Sequence, residues 1–254
     1  PHADRIINNI SEAGNIKIPN PRTDGLLPFI IQRLLNYQQP IRDMGHDIKF
    51  AIARGPLNIA SFLLGTTGLM MGLMMDPENS HKLLEIITRF TINWIEIQKE
   101  TFPSIEGILI LDDIVGFIGD GECKEYAVPY IKRIFNSFDS KLNFFHNDAQ
   151  GLISTPYLKE MGVGLFNFSF EHSMKEIREL AGPEIALIGN LPPRDVLAAG
   201  TPGQVREETR KMVNEFGDKN RVVWSVGGGM PPNVSTENIR AFKETIDKVV
   251  PRIN

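Results

Sequence analysis

The chain alternates short apolar runs with longer amphipathic stretches, and this alternation limits it to few folds. Six runs have the length and apolar content of buried strands: 48–53, 107–111, 142–146, 165–169, 185–188 and 222–226. The stretches between them repeat apolar residues at helical spacing. Strand–helix alternation of this kind predicts a parallel sheet joined by right-handed crossovers.

The predicted fold class is α/β, as a TIM (β/α)8-type barrel. A length of 254 residues suits one barrel of about 250 residues, so we expect a single domain over 1–254. Within it, 1–45 is expected to be irregular or helical, with a short helix over 28–35, and 46–254 to hold the βα repeats. None of the six predicted strands precedes residue 48, although a closed barrel needs eight. Either this chain lacks the N-terminal strands or the barrel is open. We expect the former, because an open edge leaves backbone groups unpaired.

Composition excludes several classes of function. The formal net charge is −4 and no basic run occurs, so the chain lacks the charge pattern of a nucleic-acid-binding protein. Its one cysteine, Cys123, rules out an internal disulfide and a multi-thiolate metal site, and it fits a cytoplasmic protein. The apolar stretch Ile59–Met75 is broken by glycines and is shorter than the roughly 20 residues that span a bilayer. It predicts a buried helix and loop, and we expect no membrane partner.

Polar side chains follow three of the predicted strands at the point where each strand ends. TIM barrels build their active sites at the carboxyl ends of the strands, so these side chains predict an active site that takes a small-molecule substrate. Those with acid–base chemistry are the predicted catalytic residues: Asp112, Asp113, His146 and Glu171.

A metal site is predicted from the same strand ends. His146 and Asp148 are two residues apart, so they project to the same side of an extended chain. An imidazole and a carboxylate can share one Zn²⁺ or other divalent ion, at about 2.0–2.2 Å from each ligand. His172 or Glu171, after the next strand, would complete the set, and two histidines with one carboxylate is also a pattern of non-haem iron.

Two alternatives remain open for this pair. Without a metal, Asp148 orients His146 as a general acid or base. In a purely structural role, Asp148 caps a turn and His146 bonds a backbone carbonyl.

Two further segments offer proton transfer and substrate contacts. Asp112 and Asp113 alternate in direction, so one faces the barrel axis; burial and its like-charged neighbour would raise the pKa of that acid, and the alternative is a helix or loop cap. Asn190 either bonds a substrate carboxylate or amide, or holds the following Pro-Pro turn. The last strand ends in a glycine-rich segment that forms either the floor under a planar or anionic ligand or a tight turn; its residues are Gly227, Gly228, Gly229 and Met230.

Several motifs, in order over about residues 48–250, resemble those of the uroporphyrinogen decarboxylase superfamily. They are GPLNIA at 55–60, DD at 112–113, EYAVPY at 125–130, GNLPP at 189–193, GTPGQV at 200–205 and SVGGGMPPNVSTENI at 225–239. The resemblance implies a TIM barrel and two branches of activity. One decarboxylates uroporphyrinogen III without a cofactor, and the other uses zinc to move methyl groups between corrinoid proteins and thiols. The GTP and STENI motifs are closer to those of the second branch. Superfamily membership also implies a homodimer.

The sequence departs from both branches at several positions. Methyltransferases of this superfamily have a His-x-Cys pair, where this chain has Asp148 as the second member, and a cysteine in the final glycine-rich turn, where it has Gly228. Decarboxylases have a histidine in that turn. They also have a tyrosine in the early Gly-Pro turn where this chain has Phe62, so the resemblance makes Phe62 a candidate substrate-binding residue. Decarboxylases bind substrate carboxylates through N-terminal arginines, in a segment that is expected to precede Pro1. Among the arginines of this chain, Arg54 alone lies near a predicted strand end.

The sequence thus favours metal-assisted methyl transfer linked to a corrinoid protein, with a divalent metal at His146 and Asp148. In this picture Asp112 or Glu171 moves the proton, and the corrinoid is supplied by the partner. The main alternative is decarboxylation of a uroporphyrinogen-like tetrapyrrole, with no cofactor and with Asp112 protonating a pyrrole carbon. A third is a non-catalytic protein that binds a corrinoid or tetrapyrrole.

Overall fold

A computed structural model describes residues 6–217 and 220–250, and it has one six-stranded parallel sheet at its centre. The strands follow one another in the order β1 to β6, and every neighbouring pair is parallel. They are β1 (Phe50–Arg54), β2 (Gly107–Leu111), β3 (Leu142–Asn147), β4 (Leu165–Phe168), β5 (Ala186–Leu191) and β6 (Val222–Val226). The α/β prediction is confirmed, and the arrangement is that of a TIM-type barrel with β1 and β6 as the edges of the described sheet.

Helices precede β1, fill the connections between the strands and follow β6. They are α1 (Leu27–Asp43), α2 (Pro56–Leu64), α3 (Thr66–Met75), α4 (Pro77–Thr101), α5 (Asp120–Glu122), α6 (Val128–Asn136), α7 (Leu158–Met161), α8 (Met174–Ala181), α9 (Pro202–Phe216) and α10 (Thr236–Val249). Short 3₁₀ segments occur at Ile10–Asn15, Asp113–Phe117 and Thr155–Tyr157, and π-helical turns at Cys123–Ala127 and Pro193–Ala198. The helix predicted over 28–35 is longer than expected, because α1 continues through Pro40 to Asp43.

Helix α4 shows how the sequence sets one βα unit. Asp76 caps its first turn by accepting a hydrogen bond from the backbone N–H of Asn79, and Pro77 occupies the first helical position. Its buried face includes Leu83, Leu84, Ile87 and Ile95. Burying an aliphatic side chain of this size contributes about 1.5–3 kcal/mol, so this face holds the helix against the sheet.

The far end of α4 covers the free edge of β1. Gln98 Oε1 accepts a hydrogen bond from the backbone N–H of Ile52 at 2.9 Å, and Gln98 Nε2 donates to the Ile52 carbonyl at 3.0 Å. The indole Nε1–H of Trp94 donates to the same carbonyl at 3.0 Å. Two side chains therefore satisfy the backbone N–H and C=O that Ile52 turns away from β2.

Alternation along β3 and β4 separates the core from the functional face. Phe145, Phe166 and Phe168 are buried, and the rings of Phe145 and Phe166 stack with centroids 6.0 Å apart. His146 and Asn167 are register partners on these strands and project from the opposite face. The aromatic layer thus anchors the two strands that carry the candidate site.

The apolar stretch Ile59–Met75 forms two helices rather than one helix and a loop. α2 is largely buried, whereas α3 leaves Met71, Met74 and Met75 exposed. Over the described ranges, no individual helix has the length and apolar content to cross a membrane. Taken together, α2 and α3 meet those criteria of length and composition, but with a bend of 110° between them.

Candidate metal centre

Three side chains converge where β2 and β3 end. Asp113, His146 and Asp148 each offer one ligand atom, and these atoms all lie within 4.8 Å of one another. His146 Nε2 is 3.7 Å from Asp113 Oδ1 and 3.7 Å from Asp148 Oδ1. Two ligands at about 2.0–2.2 Å from one ion lie at most about 4.4 Å apart, so His146 is spaced to share an ion with either carboxylate.

Local backbone structure holds these side chains in place. The extended backbone of β3 turns His146 and Asp148 to the same side, while Asn147 between them points away and accepts a hydrogen bond from the backbone N–H of Ala149 at 3.1 Å. Asp113 is the first residue of the 3₁₀ turn after β2. The backbone N–H of Asp148 lies 3.4 Å from Asp113 Oδ1, which links the two strand ends.

The electrostatics of the cluster favour a cation between the two acids. Burial lowers the pKa of His146 and is the largest single effect, but the hydrogen bond and charge of Asp148 and the charge of Asp113 together raise that pKa above its ordinary value. The hydrogen bond with His146 lowers the pKa of Asp148. Burial, followed by repulsion from Asp148, raises the pKa of Asp113. Two acids thus compete for one positive charge, which is either a proton on His146 or a bound metal ion.

Asp112 occupies a different environment from Asp113. It is fully buried, its Oδ2 accepts from the backbone N–H of Leu57 and its Oδ1 from that of Asn58, both at 2.9 Å. Asp112 therefore caps the N-terminus of α2 from another element. Burial raises its pKa to about 8 against the opposing effect of these two donors. The geometry corresponds to the cap alternative for Asp112 and leaves Asp113 as the acid that faces His146.

Glu171 and His172, of which one was predicted to complete the metal site, do not belong to this cluster. His172 Nε2 lies 2.6 Å from the carbonyl oxygen of Gln150 and its Nδ1 lies 3.4 Å from Glu176, so both ring nitrogens have contacts outside the cluster. Glu171 is exposed and borders a separate cavity of about 260 Å³. Over residues 6–217 and 220–250, the third group of the cluster is Asp113 instead, because β2 and not β4 supplies it.

The predicted substrate-binding residues differ in their distance from the cluster. Gly228 has φ +107, and a Cβ there would lie 2.5 Å from Asp148 Oδ2, so the final turn touches the candidate centre. Gly227 is packed against the backbone of Phe170, and a Cβ on Gly229 would meet nothing within 4 Å.

The remaining substrate-binding predictions have their own surroundings. Met230 is 60% exposed and Phe62, on α2, is 49% exposed. Asn190 is buried beside the 260 Å³ cavity, and its Nδ2 donates to the carbonyl oxygen of His172 at 2.5 Å. Their roles in binding stay predictions.

Two residues near the cluster were not assigned to a site from the sequence. Arg54 at the end of β1 has its Nη1 3.9 Å from Asp113 Oδ2. Asn167 has its Oδ1 2.8 Å from His146 Nδ1. The signal for Asn167 was its position on the neighbouring strand, since it faces the same side as its register partner His146.

Adding a side chain at Gly228 tests whether the final turn belongs to the centre. We expect Gly228→Ala to weaken divalent-cation binding by roughly tenfold or more, because the new Cβ displaces the Asp148 carboxylate and the backbone conformation is unfavourable for alanine. Isothermal titration with Zn²⁺ and Mn²⁺ measures it. Gly229→Ala is the matched control and should bind as the parent does, because its Cβ meets nothing. Equal affinities for the two variants would contradict this role of Gly228.

Comparisons with known proteins address the whole fold. The uroporphyrinogen decarboxylase (URO-D) family profile matches residues 1–249. Uroporphyrinogen decarboxylase of Chloroherpeton thalassium is 27% identical over 67% of this chain and 49% of its own length. That of Thermus thermophilus is 25% identical over 88% of this chain and 65% of its own length. The matched region therefore spans about half to two thirds of these relatives.

Solved structures share the fold at lower identity. A methyltransferase from Methanosarcina mazei superposes with a TM-score of 0.80 at 17% identity, covering 99% of this chain and 71% of that one. A B12-independent methionine synthase from Shewanella sp. W3-18-1 gives 0.58 at 12% identity, over 84% of this chain and 64% of that one. Because the family profile matches nearly the entire sequence, the chain belongs to the uroporphyrinogen decarboxylase family.

Proposed function

We propose that this protein is a metal-assisted methyltransferase whose metal is held by Asp113, His146 and Asp148, and whose methyl group is exchanged with a corrinoid protein. The observation that carries the proposal is the convergence of these three ligand atoms within 4.8 Å at the carboxyl ends of the strands. When bound there, a divalent ion supplies Lewis-acid polarisation of the methyl acceptor.

The donor set fits a divalent metal without thiolates. One imidazole nitrogen and two carboxylate oxygens suit zinc, manganese or ferrous iron. The sole cysteine, Cys123, is buried beside α6, and burial raises the pKa of its thiol to about 12, so it offers no thiolate. Asp148 stands where the methyltransferases that this chain resembles have the cysteine of their His-x-Cys pair, and Asp113 offers a second carboxylate.

The residues of the chain have separable roles in this proposal. His146 and Asp148 bind the ion, and their spacing at the end of β3 sets the distance between the two ligands. Asp113, which offers its carboxylate to the same cluster from the turn after β2, is the third ligand. Arg54, 3.9 Å from Asp113, orients that carboxylate toward the cluster.

The structural neighbours support methyl transfer through the reactions their names describe. One is called a methyltransferase and the other a methionine synthase, and both share the barrel fold with this chain. The corrinoid partner is inferred from the motifs that resemble the corrinoid-linked branch. A corrinoid protein would dock on the rim that carries the cluster.

Decarboxylation of a uroporphyrinogen-like substrate is the second candidate, because the curated relatives carry that name. A substrate with several carboxylates needs a cationic pocket. Here Asp113 and Asp148 place two carboxylates at the strand ends, and Arg54 is directed at one of them. The charge of the site therefore favours binding a cation over binding a polyanion.

A pair of assays distinguishes the candidates. Purified protein is analysed for bound metal, then incubated with methylcobalamin and a panel of thiols while the corrinoid spectrum is followed. We expect a stoichiometric divalent ion and metal-dependent demethylation of methylcobalamin. Release of carbon dioxide from uroporphyrinogen III by the metal-free protein would overturn the proposal in favour of decarboxylation. Cobalamin binding without either reaction would identify a non-catalytic binding protein.

A further inference from the structure

The hydrogen bonds of Asn167, on β4, determine which atom of its side-chain amide faces His146. Asn167 is only 5% exposed, and its Nδ2 donates to the carbonyl oxygen of Ile188 at 2.7 Å and lies 3.4 Å from that of Val226. Carbonyl oxygens only accept hydrogen bonds, so the amide nitrogen must be the atom that faces them. The atom that lies 2.8 Å from His146 Nδ1 is therefore the amide oxygen.

That contact determines where the imidazole carries its proton. An amide oxygen cannot donate, so the hydrogen bond requires a proton on His146 Nδ1. The other ring nitrogen, Nε2, then faces Asp113 Oδ1 and Asp148 Oδ1, each at 3.7 Å. In a neutral ring this is a lone pair directed at two carboxylates, an arrangement that becomes favourable when a cation lies among the three groups.

We propose that Asn167 is a positioning residue that holds His146 in the Nδ1–H tautomer and so makes Nε2 the ligand nitrogen of the centre. The role in metal binding rests on the proposed function, whereas the tautomer is a property of the metal-free protein. The amide also connects the centre to β5 and to Val226, the residue directly before the glycine-rich turn that contains Gly228. One buried side chain thus couples the orientation of the ligand on β3 to the strand that ends beside Asp148.

The direct test is the tautomer of His146 in metal-free wild-type protein. Histidine side chains labelled with ¹⁵N are followed by NMR over an alkaline pH series until the ring is neutral, and His146 is assigned by the loss of its signal in His146→Gln. We expect the Nδ1–H form. A neutral His146 with its proton on Nε2 in the wild-type chain would overturn the proposal.

Substitutions then test whether Asn167 is the cause. Asn167→Leu removes the acceptor, so we expect the proton to move to Nε2, toward the carboxylates, and Mn²⁺ and Zn²⁺ affinities to fall on the order of 10–100-fold. Asn167→Asp keeps an acceptor for Nδ1–H and should restore the tautomer, although its carboxylate faces the Ile188 carbonyl. Should Asn167→Leu fail to fold, the wild-type tautomer and that of Asn167→Asp decide the matter.

A matched control separates positioning from general destabilisation. Asn238 is also buried, and its Nδ2 donates to the carbonyl oxygens of Leu197 at 2.9 Å and Gly200 at 2.8 Å, outside the centre. Asn238→Leu should lower stability and leave both the His146 tautomer and the metal affinity unchanged. If Asn167→Leu binds metal with an affinity within twofold of that of Asn238→Leu and keeps the Nδ1–H tautomer of His146, the proposal is overturned. A wild-type protein that binds no divalent ion would instead refute the proposed function, while the NMR result still decides the tautomer.

Discussion

Replacing His146 by alanine is expected to lower the affinity for Zn²⁺ and Mn²⁺ by more than roughly 100-fold. Loss of an outer-shell partner of a metal ligand typically costs about 10–100-fold, and His146 is itself a proposed ligand, with the sole nitrogen donor of the cluster. Two carboxylates would remain without the group that now lies 3.7 Å from each. Isothermal titration calorimetry, together with metal analysis after dialysis, measures the change.

The control for this substitution is His46→Ala, which removes an exposed imidazole outside the cluster. It should bind divalent ions as the parent does. Thermal unfolding of both variants shows whether the fold is kept. A folded His146→Ala protein whose affinity is within threefold of the parent would contradict the assignment of the centre to Asp113, His146 and Asp148.

Replacing Gly55 by alanine is expected to lower the free energy of unfolding by about 1–3 kcal/mol, the usual cost of overpacking a core. A Cβ on Gly55 would lie 2.6 Å from Asp112 Cγ. Asp112 cannot move aside easily, because both of its oxygens are bound to the first backbone N–H groups of α2. The close approach of Asp112 thus explains why glycine occupies the Gly-Pro turn. Urea denaturation measures the loss in the free energy of unfolding.

Two further variants give this prediction its controls. Gly121→Ala places a Cβ in open space on α5 and should change stability little. Asp112→Asn retains the size of the side chain but turns an amide N–H₂ toward a backbone donor, with an expected cost of about 1–3 kcal/mol. If Gly55→Ala were as stable as Gly121→Ala, the close packing of Gly55 against Asp112 would not constrain the fold.

The strands were the most predictable part of the fold. All six apolar runs form strands, because strands of a parallel sheet lie mostly in the core and appear as continuous apolar segments. The length of α1 was less predictable. Pro40 locally disfavours a helix, yet α1 continues through it to Asp43. The helix propensity of single residues does not show whether the neighbouring turns can compensate for the backbone hydrogen bond that Pro40 cannot make.

The candidate centre was predictable within one strand but not between strands. The period of two placed His146 and Asp148 on one side, as the structure has them. The choice between Asp112 and Asp113 depended on which way the chain turns after β2, and the third group depended on whether β2 or β4 supplies it. Asn167 required the register of β4 against β3. These properties arise from tertiary geometry, which residue spacing along the chain does not encode.

The Gln98 amide at the edge of β1 imitates a neighbouring strand, since it both donates to and accepts from Ile52. A second polypeptide that approached this edge would have to displace that amide and the Trp94 indole before it gained any ladder hydrogen bond at Ile52. An incoming strand would therefore have to replace hydrogen bonds that Ile52 already makes, rather than bond to unpaired backbone groups. The helix that follows β1 therefore also opposes the pairing of a foreign strand at the Ile52 position of this edge.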